Sequence, residues 1–316
     1  MTYLLVVEGL FALVLLSYLV KSSRTIGSKL TSYNSKQSKK LDEIETLIHK
    51  QDLAIKRSNQ LLYLPLLIEN KVNWDFVVSL TSHQPRFATL ANVLNGLRNQ
   101  ILAPKEILLN IAVDDFPKLP AEVTELEKNG FITIVQCQDL GPAKKLIPTL
   151  GKVKELPIIA IDDDLEFDAD LFLQLMISHH LNPRAIIASR THRVTVKDNG
   201  EIESFANWDK QYCESEGLEK DLLPTSGAGT LFPVGSLHSD AEDADTYVKL
   251  SSNTDDLWWY FQARRVGTLV HRIEGFSTLN FVDDSQEAGL WKNGNKERNE
   301  SNLALLLKEY GNPLQI

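Results

Sequence analysis

Three consecutive aspartates, Asp162, Asp163 and Asp164, directly follow an apolar run of Ile158, Ile159, Ala160 and Ile161. A short unbroken apolar run bounded by Pro157 fits a strand buried on both faces, as in a parallel sheet. Carboxylates at the carboxyl end of such a strand stand where open α/β sheets place their ligands. Like charges this close repel, and desolvating them costs several kcal/mol unless a partner neutralises them. A divalent hard cation takes carboxylate oxygens and leaves coordination positions open for phosphate. A solvated loop or a helix N-cap would use the same residues, since Asp is favoured there too. The buried strand ahead of them tips the reading towards a metal.

Two further groups have types and spacing suited to chemistry. Asp255 and Asp256 lie in TDDLWWYFQARRVG, residues 254–267. Adjacent carboxylates raise one another's pKa, which suits a general base, while Thr254 or Asp255 would serve equally as the N-cap of a helix over 256–266. Trp258, Trp259, Tyr260 and Phe261 then point in different directions on that helix. At least two must be core, leaving one of the four as an apolar platform. In DLGPAKKLIP, residues 139–148, Gly141 permits a tight turn and Pro142 begins a helix with Lys144 and Lys145 near its positive end. That arrangement can cradle phosphate, and a surface helix with solvated lysines is the equal alternative. Thr81, Arg86 and Asp139 fall at the carboxyl ends of predicted strands, where base, ribose or phosphate would be held.

The elements that must position these groups follow in order. Phe76–Ser82 reads as a strand, Arg86–Gln100 as a helix, Glu106–Val113 as a strand and Ala121–Asn129 as a short helix. Phe131–Gln136 is a third strand, Pro142–Leu150 a helix, and the strand leading into the aspartates comes next. This alternation predicts an α/β fold with a parallel sheet and right-handed crossovers. Asp168–Asn182 reads as a helix behind the site, Ala185–Val196 as one strand and Ser301–Tyr310 as a last helix. No GxGxxG fingerprint or GxxxxGK[ST] loop occurs, which removes the main support for dinucleotide or P-loop binding.

Charge is unevenly distributed. Residues 1–60 carry nine Lys/Arg against five Asp/Glu, a net of +4, which leaves −13 for the rest of a chain whose total is −9. An acidic body argues against nucleic acid as its partner. Two cysteines, Cys137 and Cys213, make neither a disulfide framework nor a zinc pattern. Tyr3–Val20 is an apolar run just long enough to span a bilayer, with Glu8 its one charge. Lys21, Arg24, Lys29, Lys36, Lys39 and Lys40 follow it before any acidic residue. Positive flanks stay in the cytoplasm, so a single-pass anchor with a cytosolic body is expected, its basic neck meeting lipid headgroups. Leu41, Ile48, Ile55 and Leu62 then recur seven apart, a helical stalk that packs on the body or forms a loose homodimer, and Pro65 ends it. The expected divisions are a transmembrane anchor over 1–20, a neck and stalk over 21–72, and the globular body over 73–316.

Taken together, these motifs resemble the GT-A fold of nucleotide-sugar glycosyltransferases over roughly residues 74–275. VVSLTSHQPR resembles the first strand and loop that hold the nucleoside, IIAIDDDL the DxD strand, GAGTLF the acceptor-side glycine segment and TDDLWW the segment carrying the base of inverting family-2-type enzymes. The resemblance implies a Rossmann-like, mostly parallel sheet flanked by helices. It implies Mn²⁺ or Mg²⁺ held by Asp164, with Asp162 on ribose or a metal-bound water and Asp163 as alternative. His271, in TLVHRIEG, is the candidate for a third metal ligand, although a lone strand histidine is more often structural. Asp256, with Asp255 beside it, takes the role of general base. Gly227, Gly229, Trp258 and Trp259 fall on the acceptor side. The donor is a nucleoside-diphosphate sugar, a UDP-sugar first among them, and the acceptor a glycan or lipid-linked glycan at the cytosolic membrane face. Lys292, Lys296 or Arg298 in the polar segment 283–298 is placed to touch phosphate. The competing readings are a nucleotidyltransferase, which would want a glycine-rich loop after the first strand, and a non-catalytic membrane-anchored scaffold.

Overall fold

The computed structural model describes residues 38–40, 44–48, 50–214, 217–276, 279–282 and 295–316. The apolar run Tyr3–Val20, the neck up to residue 37, Leu41 and Lys292 lie outside the described residues. No described helix is long and apolar enough to cross a membrane. The chain divides into two compact units, Met1–Ile55 and Lys56–Ile316. In the first, residues 38–40, 44–48 and 50–55 are helical, and Ile44, Leu47, Ile48 and Ile55 are exposed.

The second unit opens with helical residues 56–61 and the short helix Leu64–Glu69. Pro65 lies in the first turn of that helix, where its missing N–H costs nothing. Leu67 packs against Leu173 and Ile177, so contacts of the globular unit begin upstream of Trp74.

The architecture is mixed α/β. Strands β1 (Val77–Thr81), β2 (Glu106–Ala112), β3 (Thr133–Cys137) and β4 (Ile158–Ile161) run parallel in the spatial order β3-β2-β1-β4. The sheet continues through β10 (Ala228–Phe232), β6 (Ile186–Ala188), β11 (Val270–Arg272) and β8 (Leu218–Glu219) to eight strands. There β10 is antiparallel to both neighbours, β6 and β11 are parallel, and β8 is antiparallel to β11, while the short strands β5 (Leu165–Glu166) and β12 (Asn280–Phe281) pair with each other outside it.

Strand alternation sorts the side chains between two cores. Ile158, Ala160, Ile186, Ala188 and Phe232 join a cluster built on helices Ile147–Lys152, Ala244–Ser251, Asp255–Arg265 and Asn295–Tyr310. Ile159, Ile161, Ile187 and Leu231 join the opposite cluster, under helices Phe87–Gly96 and Leu171–Leu181. Both faces are therefore covered, as the unbroken apolar runs imply.

Three expected elements differ. Ala185–Val196 is not one strand: β6 stops at Ala188, and β7 (Thr191–Arg193) pairs instead with β9 (Leu222–Pro224) in a separate antiparallel ribbon. The break faces a bulge in β10, where Gly229 sits at φ +103° and the register shifts between Ala228 and Thr230. Ser189 follows the bulge, its N–H donating to Gly229 O and its Oγ to Ala228 O. The helix expected over Pro142–Leu150 is instead a 3-10 turn, Gly141–Lys145, and a separate helix, Ile147–Lys152. Pro148 lacks the N–H that would join the two. The last helix starts at Asn295 rather than Ser301.

Candidate active site

The carboxyl ends of β1 and β4 open into a cavity of about 760 Å³, within the range of small-ligand sites. The sequence segments singled out above meet there. Thr81, Arg86, Asp139, Lys144, Lys145, Asp162, Asp163, Asp164, Asp255, Asp256 and Gly227 all line it.

The alternation of β4 explains how the three aspartates are divided. Asp162 follows Ile158 and Ala160 towards one face, where Lys145 meets it at 2.5 Å. Asp163 follows Ile159 and Ile161 towards the other, where Arg86, at the start of helix Phe87–Gly96, donates to its Oδ1 at 2.6 Å. The same guanidinium reaches Asp164 Oδ2 at 3.0 Å. Arg86 is thus a two-pronged clamp, a geometry that a lysine could not reproduce. Desolvation opposes its charge, but the two carboxylates outweigh that and raise the Arg86 pKa.

Lys145 is buried and still charged. Besides Asp162 it lies 3.3 Å from Asp255 Oδ2 and donates to Ser226 Oγ at 3.3 Å. Burial works against its charge, while Asp162 and Asp255 more than compensate and raise its pKa. Its position is fixed from below. The Lys145 carbonyl accepts from Ser79 Oγ, which contacts Thr149 Oγ1 at 2.6 Å, and Asn110 Nδ2 donates to both hydroxyls at 3.0 Å. Ser79 and Asn110 are polar residues inside apolar strands, and that was the available sign of a buried network. Lys144 is also buried and pairs with Asp139, whose Oδ1 accepts the Gly141 N–H at 3.1 Å. Neither lysine is a solvated surface group.

Asp255 and Asp256 occupy the first turn of helix Asp255–Arg265, yet neither caps it, and Thr254 makes no side-chain cap. Their carboxylates turn to Ser226 instead. Asp256 Oδ1 accepts the Ser226 N–H at 2.8 Å and the Ser226 hydroxyl at 2.6 Å. Asp255 Oδ2 accepts from Trp259 Nε1 at 3.4 Å. Desolvation, with the like charge of Asp255 beside it, pushes the Asp256 carboxyl up to about 6. A carboxylate at that value can accept a proton near neutral pH.

Four expected residues do other work. Trp258 and Trp259 have no exposed surface and do not line the cavity, so neither is an acceptor platform. Trp258 donates to Ala241 O and packs on Tyr247, while Trp259 steadies Asp255. All four aromatics of residues 258–261 are core, because this helix lies between the sheet and helix Asn295–Tyr310. Gly229 does not line the cavity either; a Cβ there would meet Leu171 Cδ2 at 2.9 Å. His271 lies on β11, three strands from β4, and its Nδ1 contacts Gly217 O at 3.2 Å. It is not brought to the aspartates. Gly227 does line the cavity, for a reason the sequence did not show: an added Cβ would fall 1.7 Å from Asp162 Oδ2. Its carbonyl also accepts the Asp162 N–H at 2.9 Å.

No family model matches the chain, and no curated protein matches it in sequence. Several solved structures are similar to it. PcManGT, a mannosyltransferase from Pyrobaculum calidifontis in complex with GDP-Man and Mn²⁺, overlays with a TM-score of 0.47 at 13% identity, covering 83% of this chain and 75% of that one. TarS 1–349 from S. aureus in complex with UDP overlays at 0.42 and 14% identity, covering 66% of this chain. This chain spans 59% of the length of that fragment. A 4-diphosphocytidyl-2C-methyl-D-erythritol synthase from Anaerococcus prevotii overlays at 0.39 and 14% identity, covering 70% and 97%. All three overlays fall below a TM-score of 0.5.

Among the described residues no three acidic or histidine side chains converge as a ready metal cage. Mg²⁺ and Mn²⁺ sites that act on nucleotides need only one or two carboxylates, because substrate phosphates and water complete them. Two observations fit that kind of site. Asp163 Oδ2 is buried without a hydrogen-bond partner. Among the described residues, Arg86 and Lys145 also pair with Asp162, Asp163, Asp164 and Asp255, and Asp256 adds a fifth acid to the same cavity. A divalent cation suits such a collection of acidic oxygens.

The cavity also holds residues that the sequence reading missed. Arg190, His192, Phe205, Lys210, Gln211, Thr225, Asn253 and Asn299 are among its lining, with Arg190, His192, Phe205 and Lys210 forming a second wall from the β7 region. Arg190 lies in the break between β6 and β7, and His192 on β7 itself. Nothing in the local pattern marked them, since the expected strand ran straight through both.

Proposed function

We propose that the globular unit is a metal-dependent glycosyltransferase. It would move a sugar from a nucleoside diphosphate to an acceptor hydroxyl with inversion, Asp256 being the general base. One observation carries this reading. Lys145 joins the aspartates at the end of β4 to the Asp255–Asp256 pair, so a carboxylate near pKa 6 and an acidic, phosphate-suited corner share one cavity. A bound Mg²⁺ or Mn²⁺ would neutralise charge on the departing diphosphate. Asp162 and Asp163 would hold it, the first with its carboxylate partly open to the cavity and the second with a free buried oxygen.

The remaining roles belong to the chain. As the acceptor oxygen bonds to the anomeric carbon, its proton passes to Asp256, and the C–O bond to the diphosphate breaks with the electron pair leaving on oxygen. Ser226 fixes the Asp256 carboxylate through two hydrogen bonds to one oxygen. Lys144 and Lys145 supply positive charge beside Asp139 and Asp162, where the diphosphate would lie. Arg86 keeps Asp163 and Asp164 in place. The run Tyr3–Val20 with its basic flank would tether this activity to the cytosolic membrane face.

The test is a screen of UDP- and GDP-sugars for slow hydrolysis to the nucleoside diphosphate, with and without Mn²⁺. Metal-dependent release of UDP or GDP supports the reading. Pyrophosphate release from a nucleoside triphosphate and a sugar phosphate would replace it with a nucleotidyltransferase. The scaffold reading predicts no thermal shift with any nucleotide and metal, since a ligand of the folded state must raise stability.

A further inference from the structure

The charges on the two sides of the cavity are balanced differently. Arg86 and Lys145 each meet two carboxylates. Arg190 has no such arrangement: among the described residues its guanidinium makes no side-chain hydrogen bond or ion pair, and its Nε is buried without a partner. Burial pushes its pKa below the ordinary value, with Asp256 acting in the other direction.

Lys210 lies on the same wall. Its ammonium sits 3.3 Å over the Phe205 ring and donates to the Phe205 carbonyl. The residue as a whole is exposed, but this apolar seat lowers it to about 8, so it stays cationic at neutral pH. Glu300 favours that charge at a distance, forming no ion pair with it among the described residues while its oxygens accept the N–H groups of Phe205 and Ala206 at 3.1 and 2.7 Å. His192 lines the same cavity and is held neutral, its pKa lowered to about 3 by burial and by Arg190 and Lys210.

A cation kept in a wall without a carboxylate in contact is costly, and a ligand oxyanion relieves that cost through charge-assisted hydrogen bonds. Which ligand does so follows from position. The departing diphosphate belongs at the Asp162–Asp164 corner, whereas the field of Arg190 reaches Asp256. A base must touch the hydroxyl it deprotonates, so cations that line the cavity with Asp256 and pair with none of the aspartates at the Asp162–Asp164 corner are placed to serve the acceptor. Building on the proposed transfer reaction, we infer that the acceptor is anionic and carries a phosphate group held by Arg190 and Lys210 near the attacking hydroxyl. Two cations match the charge of a phosphate better than that of a single carboxylate.

The experiment loads the full chain with UDP and Mg²⁺, then titrates it with inorganic phosphate and, separately, with glucuronate. The expected result is saturable phosphate binding that weakens at least tenfold in Arg190→Gln and in Lys210→Gln, while Mg²⁺-dependent UDP binding stays within twofold of the wild type. Lys210→Gln keeps the test decisive if Arg190→Gln fails to fold, because Lys210 is exposed. Phosphate binding that is absent from the wild type, or unchanged in both variants, would overturn the inference. So would loss of UDP binding in Arg190→Gln, which would assign that residue to the donor. Tighter binding of glucuronate than of phosphate would overturn the choice of phosphate. If UDP and Mg²⁺ fail to bind the wild type, the donor reading is what fails; the same phosphate titration without UDP still decides the wall.

Discussion

One cavity has two walls of opposite electrostatic design. On the β1–β4 side every cation is tied to carboxylates: Arg86 to Asp163 and Asp164, Lys145 to Asp162 and Asp255, Lys144 to Asp139. On the β7–β9 side neither Arg190 nor Lys210 has a carboxylate in contact among the described residues, Glu300 acting on Lys210 only at a distance while it accepts two backbone N–H groups. The cations of the first wall are paired before anything binds, and an anionic ligand there must exchange partners. The second is incomplete until a ligand arrives. Removing a charge from the first wall should therefore cost stability, and removing one from the second should cost binding alone.

The largest effect is expected where the two walls meet. Asp256→Asn should lower transfer by about 10²–10⁴-fold, the usual contribution of a general base. UDP binding with metal should persist, measured by thermal shift. In the wild type, transfer should rise with pH through about 6, because Asp256 accepts a proton only when ionised. The stability effect has the opposite sign. An acid whose folded pKa is raised from 3.8 to about 6 favours the folded state most below 3.8, and that advantage fades as pH rises through 6. Asp256→Asn should thus gain stability relative to the wild type at pH 7 and lose that gain below pH 4. Near-native turnover in Asp256→Asn would remove the assigned base.

Arg86→Met sharpens the contrast on the paired side. It leaves Asp163 and Asp164, both buried, without their shared cation, and breaking a buried pair from one side costs about 3–5 kcal/mol. Urea unfolding at pH 7 measures the loss. A variant as stable as the wild type at pH 7 would mean that the clamp contributes nothing.

How legible this was in the sequence depended on distance along the chain. The apolar run into Asp162–Asp164 and the alternation through β1 to β4 are local patterns, and the parallel half of the sheet follows from them. Asp255 and Asp256 were visible as a pair, but not their attachment to Ser226, some 30 residues away. Long-range placement also decided the aromatics. A run of four cannot show that its helix will be covered on both sides, and so Trp258 and Trp259 were read half outward. The strand through Ala185–Val196 looked continuous because the bulge that breaks it lies in β10. With that break unseen, Arg190 and the second wall were unseen too.

Gly227 tests how tightly the paired wall is built. Gly227→Ala would place a methyl 1.7 Å from Asp162 Oδ2, so the carboxylate or the backbone must move. Overpacking of this kind costs about 1–3 kcal/mol. The displaced carboxylate is the one Lys145 holds, so metal-dependent UDP binding should weaken along with stability. If stability falls while UDP binding is unchanged, Asp162 is structural and the metal is held by its neighbours.

The smallest expected effect is the most diagnostic of the comparison. Arg190→Met removes a guanidinium that has no ion pair among the described residues and lines open space, replacing it with an unbranched apolar chain. No carboxylate loses a contact partner, and the cost of holding an unpaired cation disappears. Its effect on unfolding should lie within about 1 kcal/mol of zero, on the stabilising side, as replacing uncompensated polar groups can be. Asp256, relieved of a nearby positive charge, should shift to higher pKa, moving the rising limb of the pH–rate profile above 6. A loss near that of Arg86→Met would show that Arg190 is tied down like the cations opposite, and the two walls would no longer differ in kind.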